Sequence, residues 1–237
     1  MTIGLRSQWI LWLVLVATVL AGVIADDLSS AKLVTLELRP NTSVVVDVFR
    51  PLPHALNLTL RFIRANWEDK RPELGDSQTK GGAWQETGYL EFPRPGVPIK
   101  LLIQSEDNEA IYEALPAGSY NANTKGRDLV PFVDDGNPNR IPWPPNHSLK
   151  PVLPSGYSTT KISVLEIGAE LLGEQVTLIV EPPVSFKSTA PGYGFLWWFM
   201  FWPLYALLLI IYGAILFWMS WCSKDSNLKV GIDSPEN

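Results

Sequence analysis

The middle of the chain alternates between apolar and polar residues. The run from Leu56 to Phe62 does so without a break, which is typical of a strand with one buried face. Val34 to Arg39 has the same period, and the turn residues Pro40 and Asn41 separate it from Val44 to Phe49, so a β-hairpin is predicted there. Further strands are predicted at Tyr89 to Phe92, Ile99 to Gln104, Ile162 to Ile167 and Val176 to Val180.

These strands predict a mainly β domain over residues 26–187. Outside two apolar blocks no window has a convincing helical period, although Asn108 to Leu115 is long enough for one or two helical turns. Short strands with turn signals between them predict an antiparallel β-sandwich, of immunoglobulin-like or jelly-roll-like type. The single cysteine, Cys222, lies outside this range, so the domain folds without disulfides. That absence favours a bacterial envelope over an animal cell surface.

The first apolar block, Trp9 to Ala25, contains no charged residue and follows Arg6. A basic start, an apolar run and a small-residue end predict a secretory signal peptide over residues 1–25, with Val23 and Ala25 preceding the cleavage site. The alternative is an uncleaved signal anchor, because the block is close to the length that crosses a bilayer. Both interpretations place the chain from Leu28 onward outside the cytoplasm.

The second apolar block, Phe195 to Trp221, predicts a transmembrane helix. It is uncharged and longer than the about 20 residues that cross a bilayer, and Pro203 is expected to kink its outer end. Indole rings prefer the headgroup level, so two interfacial belts are predicted. They consist of Trp197, Trp198 and Trp202 at one end and Trp218 and Trp221 at the other.

The flanks of this helix set its predicted orientation. Residues 188–194 form a stalk, and residues 222–237, which carry Lys224 and Lys229, form a short cytoplasmic tail. Ala206 and Gly213 are seven residues apart and therefore share a helix face. Small residues on one face permit close packing of a second helix in lipid, and plain exposure to lipid is the alternative.

A long Pro-rich loop is predicted at residues 121–158. Prolines stiffen an extended backbone, which suits a surface that a partner protein grips. The predicted partner-binding residues are Trp143 and the flanking Pro142, Pro144 and Pro145, since exposed indoles often dominate binding energy. The alternative is that Trp143 folds back and pins the loop to the domain.

Motifs for catalysis or metal binding are absent from the sequence. His54 and His147 each lie beside prolines, and no zinc, nucleotide or serine-hydrolase motif occurs, so no catalytic residue, metal or cofactor is predicted. The acidic residues Glu106, Asp107, Glu109 and Glu113 allow a carboxylate-dependent hydrolase only as an alternative. Asp134 to Asn139 offers oxygen ligands for calcium, but such runs are more often turns.

The whole pattern predicts a membrane-anchored extracytoplasmic binding protein that is not an enzyme. The net charge of −5 excludes a basic footprint for nucleic acid. Such a protein would serve as an accessory subunit of an envelope complex or as an inhibitor of an incoming protein, located in the bacterial inner membrane with its bulk in the periplasm. Two alternatives are an anchored carboxylate hydrolase and a subunit that works through its aromatic-rich helix. The sequons at Asn41, Asn57 and Asn146 keep a eukaryotic cell surface open.

Overall fold

The computed structural model describes residues 4–78, 88–105, 108–134, 140–142, 150–185 and 189–230. These residues form two compact units. One combines both ends of the chain, Met1–Leu28 and Val184–Asn237, and the other is Ser29–Pro183.

The first unit contains three helices, α1 (Leu5–Leu28), α2 (Gly194–Phe199) and α3 (Trp202–Val230). The second unit contains the strands β1 (Lys32–Glu37), β2 (Ser43–Arg50), β3 (His54–Ala55), β4 (Leu58–Ile63), β5 (Tyr89–Glu91), β6 (Ile99–Ser105), β7 (Asn108–Ala114), β8 (Ser119–Tyr120), β9 (Thr124–Pro131), β10 (Arg140–Pro142), β11 (Val152–Leu153), β12 (Gly156–Ile167) and β13 (Gln175–Val180).

Nine of the strands form one antiparallel sheet. Its order is β1-β13-β4-β9-β7-β6-β12-β2, with β8 added beside β9. The strands at the two ends of this order, β1 and β2, approach each other without pairing, so the sheet is nearly closed into a barrel. The prediction of a mainly β, antiparallel domain is confirmed.

The barrel interior is filled by side chains from every long strand. Alternate residues point inward, as the period of two requires. Together they form one hydrophobic cluster, whose fully buried members include Leu36, Val48, Leu60, Phe62, Leu101, Ile103, Tyr112, Ile162, Val164 and Leu178. A smaller cluster of Leu90, Phe92 and Val130, with Leu115 against it, packs on the outer face of β9. The apolar positions of the alternating sequence pattern are therefore the positions that form the core.

A buried arginine occupies one inward position of β9. Arg127 is 1% exposed and donates to three backbone carbonyls, those of Val97 (2.8 Å), Ala114 (2.7 Å) and Leu115 (2.7 Å). Burial lowers the pKa of Arg127 to about 10, which still leaves the guanidinium charged at neutral pH. The side chain thus satisfies carbonyls at a place where the strand ladder ends.

A loop packs into the barrel at Leu74, which is fully buried. It carries a 3-10 turn at Pro72–Leu74 and is bonded to the segment before β6, through Val97 N to Glu73 O at 2.8 Å. Gly75 and Gly96 both have positive φ and face each other so closely that a Cβ on either would lie 2.7 Å from the other's backbone nitrogen. Only glycine fits both conditions.

The helices α1 and α3 are long and apolar enough to cross a bilayer, by length and composition. The C-terminal apolar block is divided, because α2 ends at Phe199 and α3 begins at Trp202. Pro203 is the second residue of α3, a position where its missing N–H and fixed φ are tolerated. The predicted interruption of the helix near Pro203 is therefore observed, and α3 continues past Trp221 to Val230.

Three local predictions were wrong. The predicted hairpin does not form, because β1 pairs with β13 and β2 pairs with β12. Asn108–Ala114 is strand β7 and not a helical turn, since its Tyr112 and Ala114 fill inward positions. The predicted loop at 121–158 contains β9, β10, β11 and the start of β12. The strand β9 does not show a regular alternation of apolar and polar residues, because Arg127 occupies one of its inward positions.

Arg127→Met should destabilise the β domain by about 3 kcal/mol, because three buried carbonyls lose their donor. The measurement is chemical denaturation of the full chain in mild detergent, followed by β-sheet circular dichroism. Arg61→Met is the matched control, since Arg61 lies exposed on the neighbouring strand β4, and its effect should stay within about 0.5 kcal/mol. Equal effects of both variants would contradict the role of Arg127.

Candidate interaction site at the barrel seam

The two edge strands of the sheet face each other along a line that we call the seam, formed by β1 (residues 32–37) and β2 (residues 43–50). Each strand is paired on its other side only, β1 with β13 and β2 with β12. Within the described part of the chain, no backbone hydrogen bond joins β1 to β2. The seam is therefore the place where this sheet presents unpaired backbone groups.

The chain itself closes one end of the seam. Leu38 bonds to the β13 side, with its N–H 2.9 Å from Glu174 O, and Asn41 bonds to the β12 side, with its N–H 2.9 Å from Val164 O. The turn between them needs a left-handed residue, and Asn41 supplies it at φ 66°. The turn predicted at Pro40 and Asn41 thus exists, but it carries the chain from one edge of the sheet to the other.

Arg50 closes the opposite end of the seam. This last residue of β2 is 1% exposed, and its guanidinium donates to Ser29 O (3.1 Å) just before β1 and to Glu181 O (2.8 Å) just after β13. It also donates to Phe49 O at 2.9 Å. A charged, planar donor of this kind joins backbone segments that no strand pairing joins.

Between these two closures the seam exposes apolar side chains. Leu33 on β1 is 60% exposed and Val45 on β2 is 59% exposed. The inward residues Val34 and Val44 are only partly buried, although they pack against the core. The edge strands therefore carry apolar residues that the barrel leaves partly open to contact.

An aromatic pair lies beside the seam, on the outer face of β2 and β12. Phe49 and Tyr157 are cross-strand partners with ring centroids 5.0 Å apart, and Tyr157 is 71% exposed. Next to this pair, Thr159 Oγ1 donates to Asp47 at 2.7 Å. Exposed aromatic rings next to an unpaired edge add contact area for a bound chain.

A polar cluster adjoins the Arg50 end. The hydroxyl of Thr59, which is buried, lies 2.9 Å from Asp128 Oδ1 and 2.9 Å from Glu181 Oε1. A hydroxyl has one proton, so it donates to one of these carboxylates at a time. Lys150 supplies positive charge nearby and donates to Asn57 Oδ1 at 2.7 Å. Burial lowers the pKa of Lys150, while Glu181 and Asp128 raise it.

His54 is the buried histidine beside this cluster. Burial and the nearby charge of Arg50, with a smaller contribution from Lys150, lower the pKa of His54 to about 4. The imidazole is therefore neutral at neutral pH and adds no positive charge to those of Arg50 and Lys150. His54 forms the short strand β3 with Ala55, and this strand pairs with β11.

The structure places only part of the predicted partner-binding set. Pro142 lies in β10, with its backbone opposite Tyr89 of β5. Trp143, Pro144 and Pro145 lie outside the described residues, as do Asp135 to Asn139 of the calcium alternative. Of the acidic group of the hydrolase alternative, Glu109 and Glu113 lie on β7, and Gln104 Nε2 donates to Glu109 at 3.3 Å. Glu106 and Asp107 lie outside the described residues. Among the described residues, no group of three potential metal ligands occurs.

The predicted membrane-facing residues all lie on α2 and α3. Trp197 and Trp198 are in the short helix α2, and Trp202, Trp218 and Trp221 are in α3. Four of these indoles are strongly exposed, with Trp218 at 70% the most. Gly213 lies against Trp12 of α1, and Ala206 is half-buried.

Comparison with known proteins gives no functional assignment. No protein-family model and no curated protein matches the chain. Among solved structures, a crystal structure of a protein from Sulfurospirillum deleyianum is similar at 16% sequence identity and a TM-score of 0.36. The similarity covers 65% of this chain and 99% of that chain.

The lowered pKa of His54 predicts a pH-dependent stability. The unfolded chain takes up a proton below its ordinary pKa of 6.5, whereas the folded chain does so only near 4. Stability should therefore be full above pH 6.5 and fall by several degrees in Tm as the pH drops from 6.5 to 4. Thermal unfolding of the full chain in mild detergent measures this change. His54→Gln should flatten the curve over that interval, and an unchanged slope would contradict the burial of a neutral His54.

Proposed function

We propose that this protein is a membrane-anchored, extracytoplasmic binding protein without catalytic activity, and that it captures an extended segment of another protein at the seam. In the bacterial envelope it would act as an accessory subunit of a membrane complex or as an inhibitor of an incoming protein. The observation that carries the proposal is the pair of unpaired edges, β1 and β2, with Leu33 and Val45 exposed on their outer faces.

The filled interior supports binding on the outside of the barrel. The inward side chains of the long strands pack into one cluster, and Leu74 packs against it from the loop after β4. A barrel of this kind leaves its ligand to edges, loops and the outer face. The same single core also supports the finer fold description, in which the nearly closed sheet is flattened into a β-sandwich of immunoglobulin-like or jelly-roll-like type.

Strand addition is the binding mode that unpaired edges favour. An extended peptide satisfies the free N–H and C=O groups of an edge through its own backbone, while alternate side chains contact the flanking residues. At the seam those contacts would be Leu33, Val45 and the aromatic ring of Phe49 or Tyr157. The expected ligand is therefore a short, β-branched or aromatic segment in an extended conformation.

The apolar helices support a membrane location for this binding module. The length and composition of residues Trp202–Trp221 of α3 suit a bilayer span, and tryptophans lie near both ends of that span. We propose that α3 crosses the inner membrane, with Ser29–Pro183 on the periplasmic side. A partner bound at the seam would then be held next to the membrane.

The carboxylate hydrolase remains a second candidate because of one observation. Asp128 and Glu181 both contact Thr59 Oγ1 at 2.9 Å, so their oxygens lie close to each other. Paired carboxyls at short separation are the groups that retaining glycosidases use. The nearby Lys150 and the buried Thr59 favour instead a structural role, in which the pair holds β4, β9 and the end of β13 together.

The proposal predicts that a photo-crosslinking residue at Val45 captures a protein in intact cells. We expect at least fivefold more adduct from this position than from Ile63, which is 69% exposed on the outer face of β4. In a pulldown without the photo-crosslinking residue, Val45→Asp should lower the amount of recovered partner to a similar extent, because a charge at the edge opposes strand addition. Mass spectrometry of the adducts gives the measurement.

Ile63→Asp is the matched control, since it places the same charge on an equally exposed apolar site away from the seam. Equal adduct yields at Val45 and Ile63 would contradict binding at the seam. Equal yields together with a hydrolytic activity that is lost on Asp128→Asn or Glu181→Gln would establish the second candidate instead.

A further inference from the structure

The two ends of the chain meet in one helical unit, and the contacts between them are specific. Trp12 of α1 donates its indole N–H to Leu209 O of α3 at 2.8 Å. Trp9, one turn earlier, donates to Ser220 Oγ at 3.2 Å, and Ser220 in turn donates to Leu216 O at 2.8 Å. The rings of Trp9 and Trp12 pack edge to face with centroids 5.6 Å apart.

Gly213 makes the contact of Trp12 possible. In an α-helix the carbonyl of residue 209 points toward residue 213, one turn further on, and a side chain at 213 leans back over that oxygen. With glycine at 213 the oxygen of Leu209 is open to a donor from outside the helix. A Cβ at Gly213 would lie 3.1 Å from both Nε1 and Cε2 of Trp12, which is tighter than ordinary contact.

A second glycine plays the reciprocal part. Gly22, near the C-terminal end of α1, is buried, and a Cβ there would collide with the ring of Phe199 from α2. Thus each of the two sequence ends contributes an aromatic ring, and each contributes a glycine that receives it. Small residues that admit close packing are the usual basis of helix association in lipid, where the hydrophobic effect does not drive it.

The helix α1 also runs without interruption through the predicted cleavage site. Val23 and Ala25 lie inside it, and it ends only at Leu28. Its apolar length suits a bilayer span, as does that of α3. A segment that is helical and packed on a neighbouring helix at this point offers no extended chain to a signal peptidase.

We propose that α1 is retained in the mature protein as a second membrane span, docked on α3 through the Trp12–Gly213 and Phe199–Gly22 contacts. The anchor is then an antiparallel pair of helices with both chain ends in the cytoplasm, and α1 serves both as the export signal and as the structural partner of α3. This inference rests on the proposed membrane location, and it replaces a single span by two.

The contact chemistry also explains the tryptophans near the start of α1. An indole N–H inside a bilayer needs an acceptor, because lipid tails supply none. Leu209 O and Ser220 Oγ are those acceptors for Trp12 and Trp9. A cleaved signal peptide has no need for such acceptors on the mature chain.

The test uses the full chain, with an N-terminal epitope tag, in the background Cys222→Ser. Trp9→Cys combined with Ser220→Cys should give an intramolecular cross-link with a short bifunctional maleimide in membranes. Leu13→Cys combined with Ser220→Cys is the control pair, because Leu13 is 57% exposed on α1. We expect at least fivefold more cross-link from the first pair. We also expect all of the protein extracted from membranes to retain the N-terminal tag.

A second pair of variants keeps the test falsifiable if the cysteines alone disturb the helices. Gly213→Leu should reduce the cross-link at least fivefold, whereas Ala214→Leu, which adds the same side chain on the exposed neighbouring position, should leave it unchanged. Loss of the tag from carbonate-resistant membranes, or equal cross-linking of both pairs, would overturn the second span alone. Release of the whole chain by carbonate would overturn the membrane location as well.

Discussion

A β-sheet that is almost closed leaves unpaired backbone groups at its two remaining edges, and in this domain a buried arginine closes one end of the gap between them. Arg50 holds the seam shut at one end through Ser29 O and Glu181 O. Arg127 satisfies the carbonyls of Val97, Ala114 and Leu115 in the same way, at the end of the neighbouring strand β7 and before β6. An arginine in such a place contributes to stability through the carbonyls that it satisfies, because a buried charge without hydrogen-bond partners is expensive. At the Arg50 end the closure is thus made by a side chain, and it leaves the backbone edges themselves unpaired.

The same pattern recurs where loops meet the barrel. Arg64 donates to the carbonyls of Asn121 and Ala122, and Arg71 donates to Ile63 O while it pairs with Glu73 and Glu174. The glutamates raise the pKa of Arg71 against the effect of burial. Tyr112 adds a neutral example, since its hydroxyl donates to Leu56 O and burial raises its pKa. In a domain without cysteines, these charged and polar donors fix segments that disulfides fix in many exported domains.

The seam and the helix pair follow one physical logic. At the seam, edge strands present backbone groups and apolar side chains to the outside, where a partner can satisfy them. In the helical unit, the carbonyl of Leu209 is exposed by a glycine, and an indole of the same chain satisfies it. Both proposals therefore rest on where unsatisfied backbone groups are placed and on what meets them.

Much of the barrel could be predicted from alternation alone. Strands whose inward residues are apolar, such as β4 with Leu58, Leu60 and Phe62, were recognised because burial and sequence period agree. The strand β9 was missed, since Gly126, Arg127 and Asp128 interrupt the apolar period and the inward position is held by an arginine. Its partners are carbonyls distant in sequence, which no local pattern reveals.

The remaining errors also come from long-range contacts. The turn at Pro40 and Asn41 was correctly located, but pairing of β1 with β13 and of β2 with β12 decided the topology. Gly213 was predicted as a packing residue, whereas its partner, Trp12, lies near the other end of the chain, in the block predicted to be a signal peptide or a signal anchor. The sequence near Gly213 predicts that another helix can pack closely there, but only the fold shows that the contacting residue is Trp12.

Hydrogen–deuterium exchange of the full chain in mild detergent tests the central claim most directly. If the seam is held by Arg50 and carries unpaired edges, β1 and β2 should exchange faster than β4, β9 and β7, and Arg50→Gln should speed exchange in β1 first. The account would be contradicted by slow exchange along both edge strands, equal to that of the central strands and unaffected by Arg50→Gln. Such a result would mean that the edges of β1 and β2 are paired and that Arg50 does not close one end of the seam.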